Sequence, residues 1–130
     1  MKKILLLSLL FLTGWAFTAQ AIDLDKENRD PEYVESIVKR SQKIVDKLGI
    51  NDAKVAEDVR NVIANRYFTL NDIYEVRDAK IKEIKESGLT GDAKNNALKA
   101  AEDAKDAALY RIHFAFPAEL SLFLNEEQIE

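Results

Sequence analysis

Between Asp52 and Gly88 the chain contains neither proline nor glycine, and this unbroken stretch limits the possible folds more than any other feature. Within it Val55, Val59, Val62, Ile63, Leu70, Ile73, Ile81 and Ile84 recur at helical spacing. At 3.6 residues per turn they share one stripe. Asn51 or Asp52 supplies an N-cap, and Ser87-Gly88 a stop. The spacing predicts a helix over 53–87, on the order of 50 Å long at 1.5 Å per residue. Such a helix cannot bury its own stripe, so it requires partner helices in a hairpin or bundle.

The flanking segments supply them. Asp30-Pro31 reads as N-cap followed by proline at the first helical position. Val34, Ile37, Val38, Ser41, Ile44, Val45 and Leu48 then form one face, and Gly49 reads as a left-handed stop with Ile50 folding back. After the turn Leu89-Thr90-Gly91, Asp92 is the expected cap of a third helix. That helix carries Ala93, Ala97, Ala100, Ala101, Ala104, Ala107 and Ala108, with Leu98, Leu109, Ile112 and Phe116 as a bulkier stripe. Alanine has the highest helix propensity and lets a neighbouring helix approach closely. Pro117 should kink or end the helix near Phe116. Asn125-Glu126-Glu127-Gln128 has the form of a capping box, announcing a fourth helix with a single turn before Glu130. One turn does not overcome the nucleation cost, so the expectation is the front part of a longer protein. The fold class expected is all-α: an antiparallel bundle of three helices over 31–48, 53–87 and 92–116 plus the start of a fourth, with no strand. Residues 22–130 are expected to form a single helical domain, truncated at its C-terminus. Ile22 to Arg29 is polar and aperiodic, which predicts a loose arm.

Residues 1–21 precede this domain as a secretory leader. Lys2-Lys3 gives a positive start, Ile4 to Leu12 is apolar apart from Ser8, and Ala19-Gln20-Ala21 is a small-x-small cleavage site. The apolar run is shorter than the roughly 20 residues a spanning helix needs. The expectation is therefore an exported protein that meets the membrane only through its transient leader. The sequence has no cysteine, so it can carry neither a disulfide nor a lipid anchor at the cleavage point, and no zinc–thiolate site. It is expected in the periplasm or outside the cell. The formal net charge of −4 becomes −6 once Lys2 and Lys3 leave with the leader. With no basic cluster to oppose that charge, nucleic acid is not an expected partner.

The polar residues within the long helix are the candidate site. Arg66 and Arg77 fall three turns apart near the centre of its apolar stripe, and Tyr67, Asn71, Tyr74 and Asp78 follow its edge. One reading has both arginines bury their stems and snorkel, or bridge to glutamates of a neighbouring helix. The other is a ligand groove, with guanidinium forks for carboxylate or hydroxyl groups and tyrosine faces for stacking. His113, the single histidine, has no metal-ligand spacing around it. Glu75, Asp78, Glu83 and Glu86 read as a solvated flank. There is no phosphate-binding glycine loop and no nucleophile elbow. No catalytic residue, metal or cofactor is expected, and the chain reads as a non-enzymatic protein.

Several runs resemble a known family. They are Tyr33-Val34-Glu35 with Ile44 to Ile50; Val59-Arg60-Asn61-Val62-Ile63-Ala64 with Tyr67, Leu70 to Tyr74 and Arg77-Asp78-Ala79; and Leu109 to His113 with Leu120 and Leu124 to Ile129. Together they resemble the N-terminal part of the exported bacterial family called domain of unknown function 3826. The resemblance implies carbohydrate as a partner, in glycan uptake or degradation. It also implies a longer chain with a glycine- and tyrosine-containing motif absent here, and Phe116-Pro117 departs from its unbroken helix. A second reading is a periplasmic helical chaperone or stress-sensing protein, because Leu124 to Gln128 equally suits the helix starts of such hairpin proteins. A chaperone should expose an apolar concave face, whereas a sugar site should be a small polar and aromatic cleft. The leader itself gives a direct test: N-terminal sequencing of protein recovered from outside the cytoplasm should read Ile22-Asp23-Leu24. An intact Met1 would refute export by cleavage.

Overall fold

Two aspartates start the principal helices in the way their sequence context predicts. In the computed structural model, which describes residues 21–130, Asp30 Oδ1 accepts from the amides of Glu32 and Tyr33 at the head of α1 (Pro31–Lys47). Asp52 Oδ1 does the same for Lys54 and Val55 at the head of α2 (Ala53–Glu86). Each bond satisfies a backbone donor that has no partner inside the helix. Gly49 and Gly88 leave these helices at φ +64° and +81°, in the left-handed region. The leader expected over 1–21 lies outside the described residues except for Ala21. Among the described residues there is no strand.

The later elements depart from expectation in three places. Helix α3 (Gly91–His113) is capped by Thr90, not Asp92, and without a side-chain bond. Thr90 O accepts from Lys94 N, so the first turn starts earlier and takes Asp92 inside it. There its carboxylate still faces the positive end of the helix dipole. The helix also ends at His113, short of Phe116. Pro117 has no N–H to return to the carbonyl of His113, and the chain breaks at Phe114 before α4 (Ala115–Leu120). Proline is tolerated in the first turn of α4, where amides have no helical partner. Two short helices therefore follow α3 where one was expected. The second, α5 (Glu126–Ile129), has both bonds of the capping box between Asn125 and Gln128. Its single turn is held by tertiary contacts: Gln128 Nε2 donates to Leu48 O at 3.2 Å, and Ile129 packs on the core.

Helix α2 is the shared partner of the fold. Helix α1 runs antiparallel to it, with Tyr33 against Phe68 at one end and Val45 against Val59 at the other. Helix α3 is antiparallel on another face, as the contacts of Arg66 with Ile112 and Arg77 with Glu102 show. Val45, Val59, Val62, Ile63, Leu120 and Leu124 form the main core cluster, and Ile37, Ala64 and Phe68 a second one. Phe68, which the expected stripe omitted, is fully buried and is among the largest fully buried side chains.

The arm before α1 is not loose. Ile22 N donates to Asp58 Oδ1 at 3.0 Å, and Asn61 Nδ2 donates to Ile22 O at 2.7 Å. Asn65 donates to Asp23 O and accepts from Asp25 N, both at 2.8 Å. Arg29 ends the run with two bonds to the Asp72 carboxylate, at 2.7 and 2.8 Å, while its guanidinium lies 4.6 Å from the Phe68 ring centroid. The arm thus runs along a polar stripe of α2 that supplies the partners its extended backbone lacks. Burial alone would push the Asp58 carboxyl up, but hydrogen bonds from Lys54 and the Ile22 amide hold it below the usual carboxylate range. The Asp72 carboxyl is held low by Arg29. Its contribution is therefore present above the ordinary carboxylate pKa and lost as pH falls through the depressed one. Phe68 is the most sensitive point of this packing. Phe68→Ala should cost about 3–5 kcal/mol in urea unfolding, and a change below about 1 kcal/mol would contradict its burial.

Candidate functional site

The six residues singled out on α2 do not form one strip. A step of 100° per residue puts Arg66 and Arg77 on the side taken by α3. Tyr67 and Asn71 lie on the side taken by α1, and Tyr74 and Asp78 at an exposed edge beyond the start of α1. Asn71 is committed to the hydroxyl of Tyr33, to which its amide donates. Tyr67 packs against both core clusters, and the Arg40 guanidinium sits 5.6 Å from its ring centroid.

The two arginines have different partners. Arg66 Nη1 donates to Ile112 O at 2.9 Å, and its guanidinium lies 5.4 Å from the Phe116 ring centroid. Ile112 is in the last turn of α3 and its carbonyl also accepts from the Phe114 amide, so Arg66 adds a second donor to the C-terminal end of α3 from another helix. Arg77 bonds to Asp78 at 2.8 Å and approaches Glu102 of α3 at 3.6 Å. Its side chain is 24 % exposed, and the bond it donates to the Asp78 carboxylate raises its pKa further above an already high value. Its guanidinium also lies 5.1 Å from the Tyr74 ring centroid, and Tyr74 is 39 % exposed. Tyr74, Arg77 and Asp78 are consequently the three of the six that meet at an accessible surface.

Two concavities border these residues. A pocket of about 340 Å³ lies between α1, α2 and the α4–α5 end, lined by aliphatic side chains with Arg66, Tyr67, Phe116 and Gln128. The larger is an open groove of about 1010 Å³ along the α2–α3 hairpin. Its floor is Ile73, Val76, Ile84 and the alanines 97, 100, 101, 104 and 108. Arg77, Lys80, Lys105 and Arg111 line it together with Asp72 and Glu83. Val76 is 72 % exposed. The groove exists because α3 presents methyl groups where larger side chains would fill the seam. Helical periodicity revealed the alanine face, but not that α1 stops short and leaves one side of this hairpin uncovered.

His113 stacks edge-on against Phe114 at 4.8 Å and faces solvent. Among the described residues no three His, Cys, Asp or Glu side chains gather to hold a metal ion. No helix among them is long and apolar enough to cross a membrane.

The two arginines should separate in mutagenesis. Arg66→Ala removes a capping bond and is expected to cost roughly 1–2 kcal/mol, between a neutral and a charge-assisted hydrogen bond. Arg77→Ala removes ion pairs whose carboxylate partners, Asp78 and Glu102, are exposed; such pairs contribute little, so its unfolding midpoint should stay near that of the parent. Denaturant titrations giving the reverse order would show that Arg77 is the structural member of the pair.

The profile of a family described as "Protein of unknown function (DUF3826)" matches residues 34–130, from α1 through the groove to the last residue of the chain. No curated protein matches. The chain belongs to that family.

Proposed function

For this family member, we propose an exported, non-enzymatic binding protein whose α2–α3 groove receives an apolar segment of another polypeptide, as a helical chaperone does. The leader sequence supports export. The observation that carries the binding reading is the open groove itself, about 1010 Å³ with an aliphatic and alanine floor. Contiguous apolar surface rimmed by polar groups is the usual mark of an interaction site. The hairpin flanks this groove without closing round it, which suits an elongated occupant better than a compact one. Alanine on the floor allows close approach of a backbone or helix. The rim carries both charges, which keeps the unoccupied surface hydrated and favours a segment with polar flanks.

A second reading, carbohydrate binding, draws on Tyr74. Its half-exposed ring, next to Arg77 and Asp78, offers a stacking face beside hydrogen-bonding groups. One set of measurements separates the two. Aggregation of a chemically unfolded reporter protein and titrations with neutral and acidic glycans would be run on the mature chain, Ala104→Glu and Tyr74→Ala. Ala104 is exposed and lines the groove, so the glutamate places charge there without displacing core. The expected outcome is suppression of aggregation by the parent, its loss in Ala104→Glu, and its retention in Tyr74→Ala. Glycan binding that disappears in Tyr74→Ala while aggregation is never suppressed would reject the groove in favour of the second reading.

A further inference from the structure

We propose that Asp58 is a built receptor for the α-amino group created at Ile22 when the leader is removed, so that cleavage after Ala21 locks the folded domain. The inference rests on the export reading. Hydrolysis adds water across the Ala21–Ile22 peptide bond. Ala21 keeps a carboxylate, and Ile22 acquires an amine that takes up a proton near neutral pH. The enzyme implied is an endopeptidase that cuts after small-x-small sequences, which Ala19-Gln20-Ala21 supplies.

The receptor is already shaped for this group. Ile22 N lies 3.0 Å from Asp58 Oδ1, and the Asp58 side chain is only 5 % exposed. Asn61 fixes the next polar atom of the same residue by donating to Ile22 O, and the Ile22 side chain packs against the main core cluster. The terminus is therefore gripped at its nitrogen, its carbonyl and its side chain, which sets it apart from an end that merely rests on the surface. Ala21, the residue before the cut, is exposed. The other cation on Asp58, Lys54 Nζ at 2.8 Å, is itself 58 % exposed and is shared with solvent. A nearly buried carboxylate is stabilised best by a charge held in place. A backbone amide offers it one neutral donor, whereas the ammonium of a cleaved chain offers a full charge and three donors at the same position. An uncleaved chain makes the weaker contact only.

The test compares chains that differ solely at this nitrogen. One is the mature chain with a free Ile22 amine; the other is the same chain acetylated at Ile22, which keeps an N–H donor but no charge. Both would be prepared in wild-type and Asp58→Asn backgrounds. The folding equilibrium constant of the free-amine form should exceed that of the acetylated form by roughly fivefold to tenfold. That is about the margin of a charge-assisted hydrogen bond over a neutral one. The advantage should vanish in Asp58→Asn. Equal stability of the two wild-type forms, or an advantage that persists in Asp58→Asn, would overturn the proposal. Should Asp58→Asn fail to fold, the rate at which an acylating reagent labels the α-amine decides. Folded protein should label roughly tenfold more slowly than unfolded protein at the same pH, and equal rates reject the lock. The mass of the chain recovered from outside the cytoplasm tests export separately. A terminus other than Ile22 refutes the processing step, whatever the stability of the prepared chains.

Discussion

Everything in this structure depends on α2 being a surface for four different partners along one 34-residue helix. Over its first half α1 covers one face, the short α4–α5 end closes over the main core, and the N-terminal arm lies along a third direction. This half is enclosed nearly all round, so its polar residues must find partners or leave donors and acceptors stranded. Asp58, Asn61, Asn65 and Asp72 find them in the arm. Beyond Asp72, the last residue of α2 to bond the arm, the helix has α3 as its partner. The same helix thus has a well-covered base and an uncovered extension, and the groove follows from that asymmetry.

The helices were legible because caps, stops and periodicity are local. Asp30-Pro31, Asp52, Gly49 and the Asn125–Gln128 box each act within a few residues, and the structure shows all of them in use. What was not legible depended on distance. Asp58, Asn61, Asn65 and Asp72 recur at helical spacing, and such a polar stripe ordinarily faces water. Nothing within the helix reveals that eight residues of aperiodic chain will lie along it. Ile22 to Arg29 looked loose because an extended arm takes its hydrogen bonds from elsewhere and needs no periodicity of its own. Phe68 was missed for a related reason: it sits off the centre of the stripe that faces α3 and is buried against α1 and Arg29.

The candidate site shows the difference between direction and environment. An angle around the helix axis gave the correct face for Arg66 and Arg77, since both turn toward α3. It could not give depth. A guanidinium at a helix seam reaches the rim on its own stem, and the alanines of α3 leave room for it to do so. The strip of Tyr67, Asn71, Tyr74 and Asp78 failed as a unit because α1 ends beside Asn71. Residues on one side of that point are enclosed, and those on the other are open.

The alanine face has a further consequence for α3. Although this helix has 23 residues, Ala101 is its only buried one. Burial contributes about 25 cal/mol for each Å² of apolar surface removed from water, and methyl groups remove little. The helix is instead stabilised from within, by alanine propensity and by pairs such as Lys99–Asp103 and Lys105–Glu102. A helix that forms on its own propensity does not need the seam filled in order to exist. It can therefore border an open groove, and an apolar occupant would supply the burial that the alanines leave unmade. On this argument occupancy of the groove and the docking of α3 on α2 reinforce one another, because the segment that fills the groove would touch both helices at once.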